Sequence, residues 1–139
     1  MAATQRYRAQ HTELLTLADQ IMTLIGAGDI AGRASNVRGL LSVLAGKLSI
    51  HLAMEDKTLY PNLMLHHDPD IRAMATRYSQ EMGSLAEDFT QFNRRWLTAV
   101  DIEKSPTEFV AEAAQMFAAL RTRIEKENQE LYRLVDSID

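Results

Sequence analysis

The sequence predicts an all-α protein, folded as an antiparallel up-down-up-down four-helix bundle. Four stretches repeat apolar residues at spacings of three and four, the period of an amphipathic helix. Glycines, prolines and capping residues separate the stretches, and none shows the strict alternation of a half-buried strand. At 139 residues, 46% hydrophobic and 24% charged, the chain has the size and composition of one globular domain, expected to span 1–139.

The first helix is expected from about Thr4 to Ile25, with Tyr7, His11, Leu14, Ala18, Ile21 and Ile25 on one stripe. Gly26, Gly28 and Asp29 then supply breakers and a cap. The second runs from about Ser35 to Leu59, its stripe being Val37, Leu41, Leu44, Leu48, His51, Glu55 and Leu59. Pro61 is expected to end or kink it, because the proline ring clashes with the preceding turn. Asp68-Pro69 opens the third helix with an N-cap and a first-turn proline. Its stripe reads Ile71, Met74, Tyr78, Glu81, Leu85, Phe89, Phe92 and Trp96. Ser105-Pro106-Thr107-Glu108 reads as a capping box that starts the fourth, with Phe109, Ala113, Met116, Leu120, Arg123, Glu127, Leu131 and Leu134 on its stripe. Gly32, Gly39 and Gly46 recur every seven residues, either for close helix approach or simply tolerated.

Composition excludes several classes. Net charge is −4, so there is no basic excess to neutralise phosphates and no nucleic-acid partner is expected. The absence of cysteine removes disulfides, zinc-thiolate sites and cysteine catalysis. The first fifteen residues lack the apolar core of a signal peptide, and no apolar run approaches the roughly 18 residues of a spanning helix. A cytoplasmic protein without membrane partners is the expectation.

Four stripes carry ionisable residues where apolar ones belong: His11 on the first, His51 and Glu55 on the second, Glu81 on the third, Arg123 and Glu127 on the fourth. Counted at ~1.5 Å per residue from the helix ends, these positions fall in one layer of the bundle. Buried charge is costly unless paired, hydrogen-bonded or bound to a metal. Tyr60 and Tyr132 sit at matching positions beside the layer, where they can hydrogen-bond the groups around it or plug the bundle end. His66 and His67 precede the Asp68 cap and read as loop residues; Arg94 and Arg95 read as a solvated face and the seven methionines as core filling.

His11, together with His51-Leu-Ala-Met-Glu55-Asp-Lys-Thr-Leu59-Tyr60-Pro61, resembles the hemerythrin-like (HHE) domains, and Arg123-Ile-Glu-Lys-Glu127-Asn-Gln-Glu-Leu131-Tyr132 repeats the theme. The resemblance covers essentially the whole chain. It implies an antiparallel four-helix bundle with a non-heme di-iron centre, used for oxygen binding, sensing, or iron and redox handling. It further implies that His11 and His51 serve one iron while Glu55 and Glu127 bridge both.

The chain departs from that pattern at the second iron. Histidines of the third and fourth helices are replaced by Arg77, Glu81 and Arg123. A guanidinium stays protonated and has no lone pair for a metal. Glu55, Glu81 and Glu127 sum to −3 and the two arginines to +2, leaving −1; one divalent ion makes +1 and two make +3. Even with Arg77 turned outward, as Tyr78's claim on the inward position suggests, two ions leave +2. Net charge of that size is disfavoured in a low-dielectric interior. The expectation is therefore at most one tightly bound metal, iron or zinc, on His11, His51, Glu55 and Glu127. Glu81 is either a further ligand or, preferably, the partner of Arg123, which is also expected to reach a bridging glutamate. The favoured function is a metal-binding or sensing protein with a coordination position for a small molecule. The alternative is a metal-free bundle acting on a protein partner or as a homodimer, its arginines in the metals' place. An enzyme ranks last, since the ExxH spacing of ferritin-like centres is missing, and no catalytic residue is assigned.

Overall fold

The structure is a computed structural model that describes residues 3–138. All its regular elements are helical: α1 (Gln5–Gly26), α2 (Ile30–Met54), a π turn (Glu55–Leu59), α3 (Tyr60–Met64), α4 (Pro69–Arg95), α5 (Ala99–Lys104), α6 (Pro106–Lys126), a second π turn (Glu127–Leu131) and α7 (Tyr132–Ser137). Each π turn joins its flanking helices, so the chain forms four long rods and one short helix. The rod of α1 packs on α2 and α6, and the α4 rod on α6 and α2.

Local chemistry accounts for most boundaries. Gly28 and Asp29 take positive φ, 82° and 50°, which breaks α1 from α2. The Asp29 side chain then accepts from the Gly32 amide and caps α2, so α2 starts at Ile30, five residues before the expected Ser35. Asp68 caps α4 by accepting from the Asp70 amide, with Pro69 in the first turn. The expected capping box at Ser105 does not form; Ser105 makes no side-chain cap. That box lies upstream, at Thr98 and Asp101, where it starts the unexpected helix α5. The signal Thr98-Ala-Val-Asp101 was present in the sequence.

Pro61 neither ends nor breaks its rod. In the turn before it, the Tyr60 amide bonds to the Glu55 carbonyl, five residues back, and α3 continues with Pro61 in its first turn. A π turn widens the helix locally, and a proline tolerates the start of the segment that follows. The inserted residue also rotates what comes next. The inward positions become His51, Glu55, Tyr60 and Leu63 rather than a continued run of threes and fours. The second π turn does the same, giving Arg123, Glu127, Tyr132 and Val135.

The core falls into two apolar clusters. The larger includes Leu14 of α1, Leu48 of α2, Phe89 of α4 and Ile124 of α6. The smaller includes Tyr7, Leu59, Tyr60, Tyr78, Leu131 and Tyr132. Between them on the rods lie the buried polar residues His11, His51, Glu55, Arg123 and Glu127.

α4 is turned from its expected phase. Met82 and Ala75 are buried while Glu81 is exposed and Met74 half-buried, so Tyr78 and Met82 face the interior. Gly39 and Gly46 serve no close helix approach, having open space where a Cβ would lie, whereas Gly32 makes room for the capping Asp29 carboxylate, which a Cβ there would meet. Contrary to expectation, the rod Ile30–Met64 does hold an 18-residue window of mean hydropathy 1.3, enough by length and composition to cross a membrane. Only 28% of that window is buried, yet the same rod delivers His51 and Glu55 to the interior.

The phase of α4 is testable by truncation. Met82→Ala removes a fully enclosed side chain and is expected to cost about 2–5 kcal/mol, and Met74→Ala clearly less. Urea unfolding of both variants checks this; the reverse order would return Met74 and Glu81 to the interior.

Candidate metal centre

Four side chains from three rods converge. His11 comes from α1, His51 from the last turn of α2, and Glu55 and Glu127 each open a π turn. One donor atom from each lies within 4.8 Å of all the others, and all four residues are buried. The shortest separations are His11 Nε2 to His51 Nε2 at 3.0 Å, His11 Nε2 to Glu127 Oε1 at 3.2 Å, and His51 Nε2 to Glu55 Oε1 at 3.3 Å.

The histidine tautomers follow from their outer nitrogens. His11 Nδ1 lies 2.8 Å from Asn128 Oδ1 and His51 Nδ1 2.6 Å from Gln10 Oε1. An amide oxygen only accepts, so each Nδ1 must donate, which leaves each neutral ring with a bare lone pair on Nε2. Both lone pairs point into the same space. Gln10 is itself anchored through its amide nitrogen on Met54 Sδ, at 3.0 Å. Gln10 and Asn128 were not foreseen. The available signal was an amide residue immediately beside His11 and Glu127, the place from which a second hydrogen bond can orient a ligand.

The carboxylates are held from behind by crossed tyrosines. Tyr60, of the first π-turn rod, donates to Glu127 Oε2 at 2.9 Å; Tyr132, of the second, donates to Glu55 Oε2 at 2.7 Å. The remaining oxygens, Glu55 Oε1 and Glu127 Oε1, have no hydrogen-bond partner although both are buried. Burial, then the charge of Glu127, pushes the Glu55 carboxyl well above the usual range. Burial would raise Glu127 as well, but the adjoining His11 imidazole and hydrogen bonds from the Glu55 carboxyl and Tyr60 outweigh it and hold Glu127 low. Two carboxyls this close cannot both ionise in a dry interior, so in the metal-free protein they share one proton, kept on Glu55. Burial lowers His51 to about 4, against partial relief from Glu127.

The other expected site residues lie outside this group. Arg123 donates from Nη1 to Glu81 Oε2 at 2.6 Å and from Nη2 to the Tyr78 carbonyl at 2.8 Å, with its guanidinium 4.4 Å from the Tyr78 ring centroid. Its expected hydrogen bond to a bridging glutamate is replaced by the Tyr78 carbonyl, because the turned α4 brings that backbone inward. Glu81 sits at the rim with its side chain 42% exposed and also faces Lys126 at 3.6 Å; it does not join the four convergent donors. The hydrogen bond from Arg123 holds its carboxyl low. Arg77 is exposed, since Tyr78 occupies the inward position, and it plays no part in the layer. His66 and His67 stack on each other at 4.3 Å, and His66 Nδ1 accepts from the Asp68 amide.

The donor set fits a metal ion. Two imidazole nitrogens and two carboxylate oxygens, each offering an unshared lone pair towards one buried point, are mixed N/O ligation of the kind that suits iron or zinc. A buried acceptor without a donor normally calls for such a partner. Among known proteins, the family model described as hemerythrin HHE cation binding domain matches residues 2–135. No curated protein and no solved structure matches the chain.

His51 gives a pH prediction for the metal-free protein. Its folded pKa lies near 4 and its ordinary value is 6.5, so between these the unfolded chain holds a proton the native state refuses. The contribution of His51 to stability is therefore present above pH 6.5 and lost as pH falls towards 4, at up to about 1.4 kcal/mol per pH unit. The proton kept on Glu55 gives the opposite slope in the same window, so urea unfolding of chelator-treated protein reads His51 as a difference: stability of the wild type should fall more steeply with acid than that of His51→Asn, and equal slopes would contradict the burial of a neutral His51.

Proposed function

The chain belongs to the hemerythrin HHE cation-binding domain family, and on that footing we propose that it binds a single non-heme metal ion, iron or zinc, through His11, His51, Glu55 and Glu127, as a metal-binding or sensing protein. The observation that carries the reading is the set of four buried donor atoms within 4.8 Å of one another, with Glu55 Oε1 and Glu127 Oε1 otherwise unpartnered. Four protein ligands leave room in the coordination shell for a further donor.

Charge supports one ion rather than two. Arg77 is outside the layer, and Arg123 and Glu81 cancel each other, so the interior holds −2 from Glu55 and Glu127. One divalent ion neutralises it; two leave +2 where uncompensated charge is expensive. Ligands for a second ion are also lacking, since Arg123 takes that side of the layer and offers no lone pair.

We read the four rods as the up-down-up-down antiparallel bundle of a single domain. In support, α1 and α4 begin in the smaller apolar cluster and end in the larger, while the rods built on α2 and α6 run the other way. The metal-free alternative draws on one observation: Arg123 is paired with Glu81 and the Tyr78 carbonyl without an ion.

Elemental analysis by mass spectrometry, on protein purified without added metal, tests the reading. About one iron or zinc per chain is expected. Two irons per chain would overturn the charge argument, and no metal, with no thermal stabilisation by added ions, would favour the metal-free module. Arg123→His removes the cation and restores a ligand, so metal per chain is expected to rise above one; an unchanged content would count against Arg123 as the second ion's stand-in.

A further inference from the structure

The two tyrosines that follow the π turns are matched in sequence but not in surroundings. Tyr60 directs its hydroxyl at one ligand side chain, Glu127. The Tyr132 oxygen touches three: it lies 3.2 Å from His11 Nε2, 3.4 Å from His51 Nε2 and 2.7 Å from Glu55 Oε2. Its single proton serves Glu55, so neither contact with an imidazole nitrogen is a hydrogen bond from the phenol. With the 3.0 Å between the two Nε2 atoms, the phenol oxygen closes a nearly equilateral triangle.

Those lengths are the edges of a coordination shell. Donors bonded at ~2.1 Å to one ion stand about 3.0–3.4 Å apart, from octahedral to tetrahedral arrangements. The pairs His11–His51, His11–Glu127 and His51–Glu55, at 3.0, 3.2 and 3.3 Å, lie in that range, and so do both Tyr132–imidazole distances. The Tyr132 ring is fixed by stacking on His11, with centroids 5.0 Å apart and planes inclined by 20°.

We propose that Tyr132 is a fifth metal donor, its phenol oxygen forming one face of the coordination shell with His11 Nε2 and His51 Nε2, and that this fifth oxygen suits the centre to a ferric ion. The inference rests on the metal-binding reading above. Ferric binding releases two protons to solvent, the one the metal-free pair keeps on Glu55 and the phenol proton of Tyr132, so the buried charge goes from −1 to −3, which a trivalent ion neutralises as a divalent ion neutralises −2. No electron transfer is involved: the iron enters and remains ferric.

The test is a titration of the metal-free full chain with ferric nitrilotriacetate, followed by visible absorption and resonance Raman scattering. Wild type and Tyr60→Phe are expected to bind one ion per chain and develop the tyrosinate-to-iron charge-transfer band, with phenolate modes enhanced in the Raman spectrum. Tyr132→Phe is expected to bind at least about tenfold more weakly and to lack the band. Weaker binding alone would also follow from a merely supporting tyrosine; the colour would not. A ferric ion bound by wild type without the band and without phenolate modes overturns the assignment of Tyr132 while leaving the four-ligand site intact, whether or not the variant folds. A band that survives Tyr132→Phe does the same. Wild type that takes up no ferric ion overturns the inference about Tyr132, and the metal-binding reading falls with it if ferrous iron and zinc are refused as well.

Discussion

Glu55 and Glu127 stand side by side with no exposure to solvent, each with one oxygen that nothing in the protein satisfies. Leaving a buried acceptor unpaired costs on the order of 1–3 kcal/mol each. Much of the surrounding structure answers this constraint. The tyrosines crossing from opposite rods hold the outer oxygens, and the amides of Gln10 and Asn128 hold the outer histidine nitrogens. Every polar atom on the outside of the cluster is thereby committed, and four lone pairs are left on the inside. Such an arrangement is strained without a cation and relaxed with one. The shared proton on Glu55 is the partial substitute available to the metal-free protein.

The same constraint explains the two π turns. Each begins at one of the paired glutamates and ends just before a tyrosine, in the related stretches Glu55-Asp-Lys-Thr-Leu59-Tyr60 and Glu127-Asn-Gln-Glu-Leu131-Tyr132. A regular helix would carry Glu and Tyr, five apart, to different faces. The extra residue brings both onto the inner face, so that each rod supplies one of the paired glutamates and the tyrosine that clamps the other. Local helix geometry is sacrificed for the site, the usual context of π turns. Arg123 belongs to the same design: at the place equivalent to His51 it turns away from the four convergent donors onto Glu81 and the Tyr78 carbonyl, and burial does not discharge it because Glu81 bonds it and Glu127 attracts it.

The polar layer was legible because charged residues on an apolar stripe violate the helical pattern and can be counted to a common height. His11, His51, Glu55, Glu127 and Arg123 are all buried, and Tyr60 and Tyr132 do lie against them. What could not be read was anything that depends on a rotation of one residue. The stripe of α4 fits Tyr78 with either Glu81 or Met82, and packing around the larger Tyr78 and Met82 decides for the latter. The π turns were invisible for the same reason, since a period of 3.6 predicts an ending at Pro61 where one inserted residue allows continuation. The box at Ser105 lost to Thr98 because both segments carry cap residues and only three-dimensional context chooses between them.

If the four inward lone pairs hold one ion and Arg123 closes the place of a second, the position of the metal decides it. Anomalous diffraction from crystals of metal-loaded protein, recorded at the absorption edge of the bound element, locates the ion directly. One peak per chain is expected, about 2.0–2.2 Å from Nε2 of His11 and of His51 and from carboxylate oxygens of Glu55 and Glu127, with Arg123 still on Glu81. Two peaks per chain, or a single peak ligated by Glu81 with Arg123 displaced, would contradict it.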